Sequence, residues 1–207
     1  MIHNIVSISG GKDSTAMALL AIERETENLR FVFADTGHEH RLTYDYVDYL
    51  SGELERRCGV GIERVRADFS RQIERKRHTV ATKWRADGVP EAQVVKALEH
   101  LKPTGNPFLD LCLFKGRFPS TRARFCSQEL KHVPIETQVI EPLLETPGLQ
   151  ALVSWQGVRA DESRNRRDLP EFDVEMGTWE PEPQGHLILR PIIDWTVDQV
   201  FEMHRRH

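Results

Sequence analysis

Short apolar runs alternate with longer amphipathic stretches along the first third of the chain. An apolar run at Ile5–Ile8 predicts a short buried strand, and the Ala- and Leu-rich stretch Ser14–Glu25 predicts a helix. Two further runs, Leu29–Ala34 and Ile62–Val65, predict strands. Between them lies a stretch with apolar residues at helical spacing: Tyr44, Val47, Leu50 and Leu54. Strands that alternate with helices in this way indicate right-handed βαβ units in a parallel sheet.

The pattern changes in the middle of the chain. Phe69–Pro119 predicts a helical insert, in which Pro90 opens a helix. The alternation of helix and strand then returns with a helix at Ser127–Glu141, which Pro134 is expected to kink. Two strands follow, at Ala151–Trp155 and His186–Leu189. The polar, proline-containing segment Arg164–Gln184 predicts a loop.

A capping box marks the start of the last helix, with Thr196 as N-cap and Gln199 at the third helical position. We expect this helix to be cut short at His207. The predicted fold class is α/β: an open, mostly parallel, Rossmann-like sheet with helices on both faces. One nucleotide-binding domain would span residues 1–207, with the helical insert at about 69–119.

Composition narrows the class of protein. The longest stretch without a charged residue, Thr146–Val158, is shorter than the roughly 18 residues that a membrane span needs, and the N-terminus has no signal-peptide pattern. Three cysteines without short spacing argue against a disulfide framework and for a reducing compartment. We therefore expect a cytoplasmic protein with no membrane partner.

Charge is unevenly distributed. The 28 Lys and Arg against 32 Asp and Glu give a net charge of −4, which excludes a uniformly basic nucleic-acid coat. One local basic run contains Arg71, Arg75, Lys76, Arg77, Lys83 and Arg85. A second contains Lys115, Arg117, Arg122, Arg124 and Lys131. Either run could be a solvated helix face or could attract phosphates. For the second we favour contact with a nucleic acid or another substrate through Arg122, Arg124 and Lys131.

The strongest chemical signal is Ser9-Gly10-Gly11-Lys12-Asp13-Ser14, which lies where the first strand turns into a helix. Two glycines let the backbone approach a ligand closely, and the helix start, the hydroxyls and Lys12 together form an anion cradle. A polyphosphate is the expected guest. The motif is not a Walker A loop, because Val6 occupies the position of its first glycine.

This motif resembles the PP-loop of the ATP pyrophosphatase (adenine nucleotide alpha hydrolase) superfamily. Asp35-Thr36-Gly37 is similar to an element of the branch that contains phosphoadenylyl-sulfate (PAPS) reductases and the sulfurtransferases of DNA phosphorothioation. Further similar segments follow in the family's order, at Thr121–Lys131, Gly157–Arg164 and Pro191–Thr196. The helical insert is the part least covered.

The resemblance implies a site for ATP with Mg²⁺. The implied nucleotide-binding residues are Ser7, Ser9, Gly10, Gly11, Lys12, Asp13, Ser14, Asp35, Thr36, Gly157, Arg159, Ser163 and Arg166. The implied catalytic residues are Lys12, Asp13 and Cys126. Asp13 and Asp35 are the candidate Mg²⁺ ligands, although Asp13 could equally cap the helix and Asp35 could form a turn.

The cysteines depart from the family pattern. Thioredoxin-dependent PAPS reductases use a cysteine in a C-terminal tail, and this sequence has none after Cys126. An iron–sulfur cluster held by four thiolates is not expected from the three cysteines of this chain alone. Cys126 lies near arginines at a helix start, which favours a thiolate that carries a persulfide; the alternative is a small buried side chain. Cys58 and Cys112 are expected in the core.

These features lead to three functional hypotheses. The first is an ATP pyrophosphatase that forms AMP and pyrophosphate to activate a substrate, such as DNA or tRNA, for sulfur transfer. The second is a PAPS reductase, and the third is a non-catalytic nucleotide-binding subunit of a modification complex. The expected partners are an adenine nucleotide, a sulfur donor such as a cysteine desulfurase, and the nucleic acid. A homodimer or multi-subunit complex would fit.

Overall fold

The structure is a computed structural model that describes residues 1–174 and 185–207. Within them, six strands form one sheet: β1 (Ile2–Ile8), β2 (Leu29–Asp35), β3 (Ile62–Arg66), β4 (Ala151–Trp155), β5 (Phe172–Val174) and β6 (Gly185–Leu189). Their order is β3-β2-β1-β4-β6-β5. β1 pairs in parallel with β2 and β4, β4 pairs in parallel with β6, and β5 runs antiparallel to β6. The predicted α/β fold with a mostly parallel sheet is confirmed.

The helices of the described residues are α1 (Lys12–Glu23), α2 (Arg41–Cys58), α3 (Ser70–Thr79), α4 (Glu91–His100), α5 (Pro107–Lys115), α6 (Phe125–Ser127), α7 (Val133–Ile135), α8 (Glu141–Leu144) and α9 (Val197–Arg206). A π-helical turn at Val80–Trp84 follows α3, and two more, Gln128–His132 and Glu136–Ile140, separate α6, α7 and α8. The helix predicted at Ser127–Glu141 is therefore longer and irregular, and Pro134, which has no N–H to donate, lies in the short α7 between the two wide turns.

The chain divides into two compact units. The first contains Met1–Ala34, His40–Val65 and Ile135–His207, and the second contains Asp35–Glu39 and Arg66–Pro134. In the first unit, alternate strand residues enter two different cores, because successive side chains of a strand point to opposite faces. One core combines strand residues with α1, α2 and α9, and includes Val6, Phe31, Met17, Leu54 and Met203. The other includes Ile5, Val32, Leu152, Val139 and Leu143.

Helices α3 to α6 build the second unit around two smaller apolar clusters. One contains Phe69, Ile73, Leu111 and Leu130, and the other contains Val80, Val94 and Leu101. Two cations of the first basic run cap the C-termini of other helices in this unit. Lys76 donates to the carbonyl oxygens of Leu113 and Phe114, and Arg77 donates to those of Leu98 and Leu101. These side chains satisfy the last carbonyls of α5 and α4.

The loop predicted at Arg164–Gln184 is only partly correct. Residues 164–166 form a 3₁₀ turn, and β5 adds an antiparallel edge strand in which Phe172 pairs with Leu189. Residues 175–184 of this prediction lie outside the described residues. The capping box of the last helix is confirmed, since Thr196 and Gln199 each accept a hydrogen bond from the other's backbone N–H. Among the helices that the structure describes, none has a long enough apolar stretch to cross a bilayer.

Candidate nucleotide-binding site

Two glycines shape the loop between β1 and α1, each for its own reason. Gly10 has a φ of +75°, and a Cβ there would lie 2.9 Å from Cγ2 of Thr43 on α2. Only glycine combines this left-handed conformation with such close packing. Gly11 has extended backbone and is the N-cap residue of α1, and the helix therefore has no side-chain cap at this position. No side chain of the N-cap residue therefore satisfies the first-turn N–H groups of α1, which makes them candidate donors to an anion.

Hydroxyl groups hold this loop in shape. Ser14 Oγ accepts a hydrogen bond from the backbone N–H of Ser9 at 3.1 Å and donates to the carbonyl oxygen of Gly11 at 3.0 Å. The hydroxyl of Ser9 lies 3.0 Å from that of Ser14 and accepts from the N–H of Gly11 at 3.3 Å. The two predicted serines thus stabilise the loop itself. Ser7, also predicted, lies within β1, where it pairs with Val32 of β2.

Asp13 joins two cations at the start of α1. Its Oδ2 accepts from Nζ of Lys12 at 2.5 Å, and its Oδ1 accepts from Nε of Arg159 at 2.7 Å. Arg159 also donates to Asp161 at 2.7 Å. Burial lowers the pKa of Arg159, but the hydrogen bonds and charges of Asp13 and Asp161 outweigh it and raise the pKa above the ordinary value. Arg159 is therefore a permanent cation fixed beside Lys12.

The segment after β4 approaches α1 closely. A Cβ on Gly157 would lie 3.1 Å from Cα of Ser14, so only glycine allows this approach without a shift. From the last helix, Nε2 of His204 lies 2.8 Å from the carbonyl oxygen of Lys12. Sequence reasoning missed His204 and Asp161. His204 follows the buried Val200 by one turn, which is a weak signal, and Asp161 lies inside the segment that resembles the family.

Ser163 and Arg166 are placed less directly. Ser163 is exposed on extended backbone between two 3₁₀ turns, and Arg166 forms an ion pair with Glu162. In the described part of the chain, neither side chain forms a hydrogen bond with residues 9–14. Their predicted role at the phosphates stays a prediction.

The Asp35-Thr36-Gly37 turn belongs to the second unit and is rigidly held. Oδ1 of Asp35 accepts from the N–H of Gly37 at 2.8 Å, and Nδ2 of Asn106 donates to the carbonyl oxygen of Gly37 at 2.6 Å. Thr36 is buried, and its carbonyl oxygen accepts from the N–H of Phe108. Asp35 therefore has at least the turn-forming role that its position after a strand allows.

Both candidate Mg²⁺ ligands are already engaged by other groups of the chain. Both oxygens of Asp13 are held by cations, and Asp35 accepts from its own turn and has Arg66 at 4.0 Å. Across residues 1–174 and 185–207, no three His, Cys, Asp or Glu side chains are grouped to hold a metal ion. Mg²⁺ ligation by Asp13 would require the carboxylate to leave Lys12 or Arg159, and the Mg²⁺ assignment stays a prediction.

Cys126 and the second basic run also lie in the second unit. Cys126 is half-buried against an apolar cluster, and burial, followed by the charge of Cys126, raises the pKa of the Cys112 thiol. Lys115 pairs with Glu129 at 2.6 Å, and Lys131 lies 3.5 Å from Glu39. Arg122 and Arg124 are exposed. The sequence predicts that the other two cysteines lie in the core. Cys112 is buried there, whereas Cys58 is only half-buried.

The strand, loop and helix with their paired cations define an α/β protein with a candidate phosphate site at the start of α1. A model of the phosphoadenosine phosphosulfate reductase domain matches residues 3–207, and the chain belongs to this family, within the PP-loop superfamily. The predicted superfamily is confirmed. The match supports enzymatic, nucleotide-dependent and sulfur-related chemistry, while the phosphorothioation branch stays a prediction.

Two phage proteins are similar to this chain. The uncharacterized 37.8 kDa protein in the gpa 5′ region of Escherichia phage 186 is 49% identical over 213 residues, which cover 99% of this chain and 60% of the phage protein. The uncharacterized nin region protein ORF290 of Escherichia phage lambda is 25% identical over 207 residues, which cover 97% of this chain and 61% of that protein. The chain thus spans about three-fifths of the length of these relatives.

Proposed function

We propose that this chain is an ATP pyrophosphatase, which cleaves ATP to AMP and pyrophosphate and thereby activates a substrate for sulfur transfer. The observation that carries this proposal is the network in which Asp13 holds Lys12 and Arg159 at the start of α1. A helix N-terminus with two fixed cations suits a polyphosphate. Asp13 orients both cations and balances their charge until phosphate oxygens compete for them.

The proposed chemistry takes place at the α-phosphorus. An oxygen of the acceptor attacks this atom, the bond to the bridging oxygen of the β-phosphate breaks, and pyrophosphate leaves with the bonding electron pair. Lys12 and Arg159 stabilise the negative charge that grows on the leaving group. A sulfur donor, such as a cysteine desulfurase, loads Cys126 with a persulfide, whose outer sulfur then attacks the activated acceptor and displaces AMP. An external thiol cleaves the disulfide that now joins the acceptor sulfur to Cys126, which releases the thiolated acceptor and leaves a mixed disulfide that a second thiol reduces.

A nucleic acid is the proposed acceptor. The exposed Arg122 and Arg124 and the five cations of Lys115–Lys131 support this choice, since phosphate contacts come mainly from Lys and Arg. Binding of DNA or RNA that weakens with salt, and that weakens further in the double variant Arg122→Ala and Arg124→Ala, is the expected result. Unchanged binding in that variant would exclude these arginines as the contact.

A PAPS reductase is the second candidate, because the family match is to the domain of that name. The two candidates differ in the nucleotide they use. A reductase prefers the 3′-phosphorylated sulfonucleotide, releases sulfite and does not form pyrophosphate from ATP. A non-catalytic subunit would bind ATP tightly without turnover, even with partner proteins present.

Thin-layer chromatography with α-labelled ATP, and in parallel with labelled PAPS and a thiol, separates these candidates. The proposal predicts AMP and pyrophosphate from ATP with the wild-type chain, loss of both in Lys12→Ala, and no loss in Lys96→Ala. Lys96 is an exposed lysine on α4 and controls for the removal of one charge. Sulfite from PAPS without AMP from ATP would establish the reductase and overturn the pyrophosphatase.

A further inference from the structure

A row of aromatic rings in the second unit has no member in the network of Lys12, Asp13 and Arg159. The ring of His38 stacks on that of Phe108, with centroids 4.5 Å apart and planes 8° apart. Phe108 in turn lies 6.4 Å from Phe118, which is 68% exposed. We call these three residues the aromatic row. The ring of Phe118 is inclined by 37° to that of Phe108 and offers an apolar face that the described residues leave largely uncovered.

Cations adjoin the aromatic row. Next to Phe118 in the chain, the guanidinium of Arg117 lies 5.7 Å from the ring centre of Phe125, and the ammonium group of Lys115 lies 5.9 Å from the same ring. Arg122 and Arg124 follow on the same loop with exposed side chains. In the part of the chain that the structure describes, neither of these two arginines forms an ion pair, so their charge is available to a partner.

The loop that carries Phe118 and these arginines is fixed by its own backbone. The N–H of Ser120 donates to the carbonyl oxygen of Ala123 at 3.2 Å, and the N–H of Ala123 donates to that of Ser120 at 3.1 Å. A loop that is ordered before binding loses less conformational entropy when a partner arrives. Both kinds of binding group, rings and cations, are therefore presented by preformed structure.

We propose that the aromatic row and the arginines of the same loop bind single-stranded nucleic acid. Bases would stack on Phe118 at the exposed end of the row, while Arg122 and Arg124 contact phosphates. A duplex hides the faces of its bases and leaves nothing for the rings to stack on, whereas a single strand offers both bases and phosphates. This inference extends the proposed function by specifying a single-stranded nucleic acid as the acceptor. The sulfur-transfer reaction on that acceptor rests on the proposed function, whereas the binding itself does not.

Fluorescence anisotropy with labelled oligothymidylate and oligouridylate tests this proposal in the absence of ATP. The oligonucleotides are about 20 nucleotides long, which exceeds the roughly 4–16 nucleotides that one small binding fold covers. A duplex of the same length is the comparison. We expect the single strands to bind at least about tenfold more tightly than the duplex. Phe118→Ala should weaken this binding about tenfold, because one base loses the ring on which it stacks, and Phe118→Trp should retain it.

Two matched controls separate this surface from general effects. Phe172→Ala removes an equally exposed ring, 65% accessible, from β5, and should leave oligonucleotide binding unchanged. The pair Arg71→Ala and Arg75→Ala removes the same charge from exposed positions on α3, also without effect. The pair Arg122→Ala and Arg124→Ala should instead reduce the slope of log affinity against log salt by about 1 to 1.5.

Several results would overturn the proposal: no oligonucleotide binding at low salt, equal affinity for the duplex, unchanged binding in Phe118→Ala, or equally effective competition by polyglutamate. The last result would indicate a surface for acidic polypeptides. Because the binding assay contains no ATP, a chain that fails to cleave ATP can still confirm this inference. A chain that forms pyrophosphate but binds no single strand would refute the inference and leave the proposed function intact.

Discussion

Nε of Arg159 donates to Oδ1 of Asp13 at 2.7 Å, across 146 residues of sequence. This bond ties the segment after β4 to the first turn of α1, and the guanidinium that forms it is only 6% exposed. Asp13 holds Lys12 through its other oxygen. One carboxylate therefore fixes both cations that we assign to the phosphates, which gives Asp13 a positioning role in the proposed site.

Removal of Arg159 should destabilise the protein strongly. In Arg159→Met, Asp13 would keep Lys12 alone, and loss of a hydrogen bond between charged groups costs about 1.5–3 kcal/mol. We expect the free energy of unfolding in urea to fall by about 2 kcal/mol. Arg64→Met removes an exposed ion pair with Asp48 and should cost less than about 1 kcal/mol. Equal losses in the two variants would show that the Arg159 network adds no special stability.

Gly10 should be irreplaceable for steric reasons that Gly88 does not share. Both have a φ between +75° and +78°, so alanine carries a similar backbone strain at either position, about 1 kcal/mol. At Gly10 the new Cβ would also lie 2.9 Å from Thr43, whereas at Gly88 it would meet nothing within 4 Å. Titration calorimetry should show ATP affinity at least tenfold weaker in Gly10→Ala and unchanged in Gly88→Ala. Wild-type affinity in Gly10→Ala would contradict the assigned loop geometry.

Gly157→Ala and Gly52→Ala should shift stability in opposite directions. At Gly157 the added Cβ would press on the backbone of Ser14 at 3.1 Å, so the segment after β4 must move away from α1. We expect the Tm to fall by a few degrees and ATP binding to weaken. Gly52 lies within α2 with nothing near its missing Cβ, so alanine should stabilise the helix by up to about 1 kcal/mol. Thermal denaturation of both variants checks the sign, and a higher Tm in Gly157→Ala would refute the close approach.

The positions of the strands other than β5, and the loop between β1 and α1, could be predicted because their signals are local. A strand, two glycines, a lysine and a helix follow one another within Ile2–Glu23, and the alternation of apolar residues reports two-sided burial directly. The family resemblance implies only that Asp13 and Arg159 belong to the same site, and not that they form a hydrogen bond. Nothing in the sequence shows that both oxygens of the Asp13 carboxylate accept hydrogen bonds from cations.

Other features depend on tertiary contacts and could not be predicted from the sequence. β5 is an edge strand of three residues, stabilised by pairing with β6 and too short to show alternation. His204 became part of the site because α9 packs against α1, which no local pattern reveals. The sequence left open whether the first basic run is a solvated helix face or binds phosphates. In the structure, Lys76 and Arg77 donate to the last carbonyl oxygens of α5 and α4, while Arg71 and Arg75 are exposed.

Lys76 should therefore matter for stability and Arg75 should not. Nζ of Lys76 donates to two carbonyl oxygens at the end of α5, each at 2.9 Å, and burial lowers the pKa of this amine. Lys76→Met leaves those carbonyls without their donor, which we expect to cost about 1–2 kcal/mol in urea denaturation. Arg75→Met, an exposed position one residue away, should change the free energy of unfolding by less than about 0.5 kcal/mol. A neutral Lys76→Met would mean that solvent replaces the ammonium group fully.

Cys112 should be the slowest of the three thiols to react. Burial raises its pKa, with a further contribution from the nearby charge of Cys126, so its thiolate is scarce near pH 8. A short pulse of iodoacetamide followed by peptide mapping should label Cys126 and Cys58, which are half-buried, before Cys112. Labelling of Cys112 first would show that the helices around it open readily in solution.

The same raised pKa makes stability depend on pH in a defined direction. A thiol whose folded pKa lies above its unfolded value, roughly 8.5, binds its proton more tightly when folded. Its contribution to stability is therefore complete below about pH 8.5 and is lost as the pH rises through the folded pKa. The free energy of unfolding of the wild type should fall from about pH 8.5 upward, and that of Cys112→Ala, which has no thiol to titrate there, should fall less. Parallel curves for the two proteins would show that Cys112 does not titrate differently in the folded state.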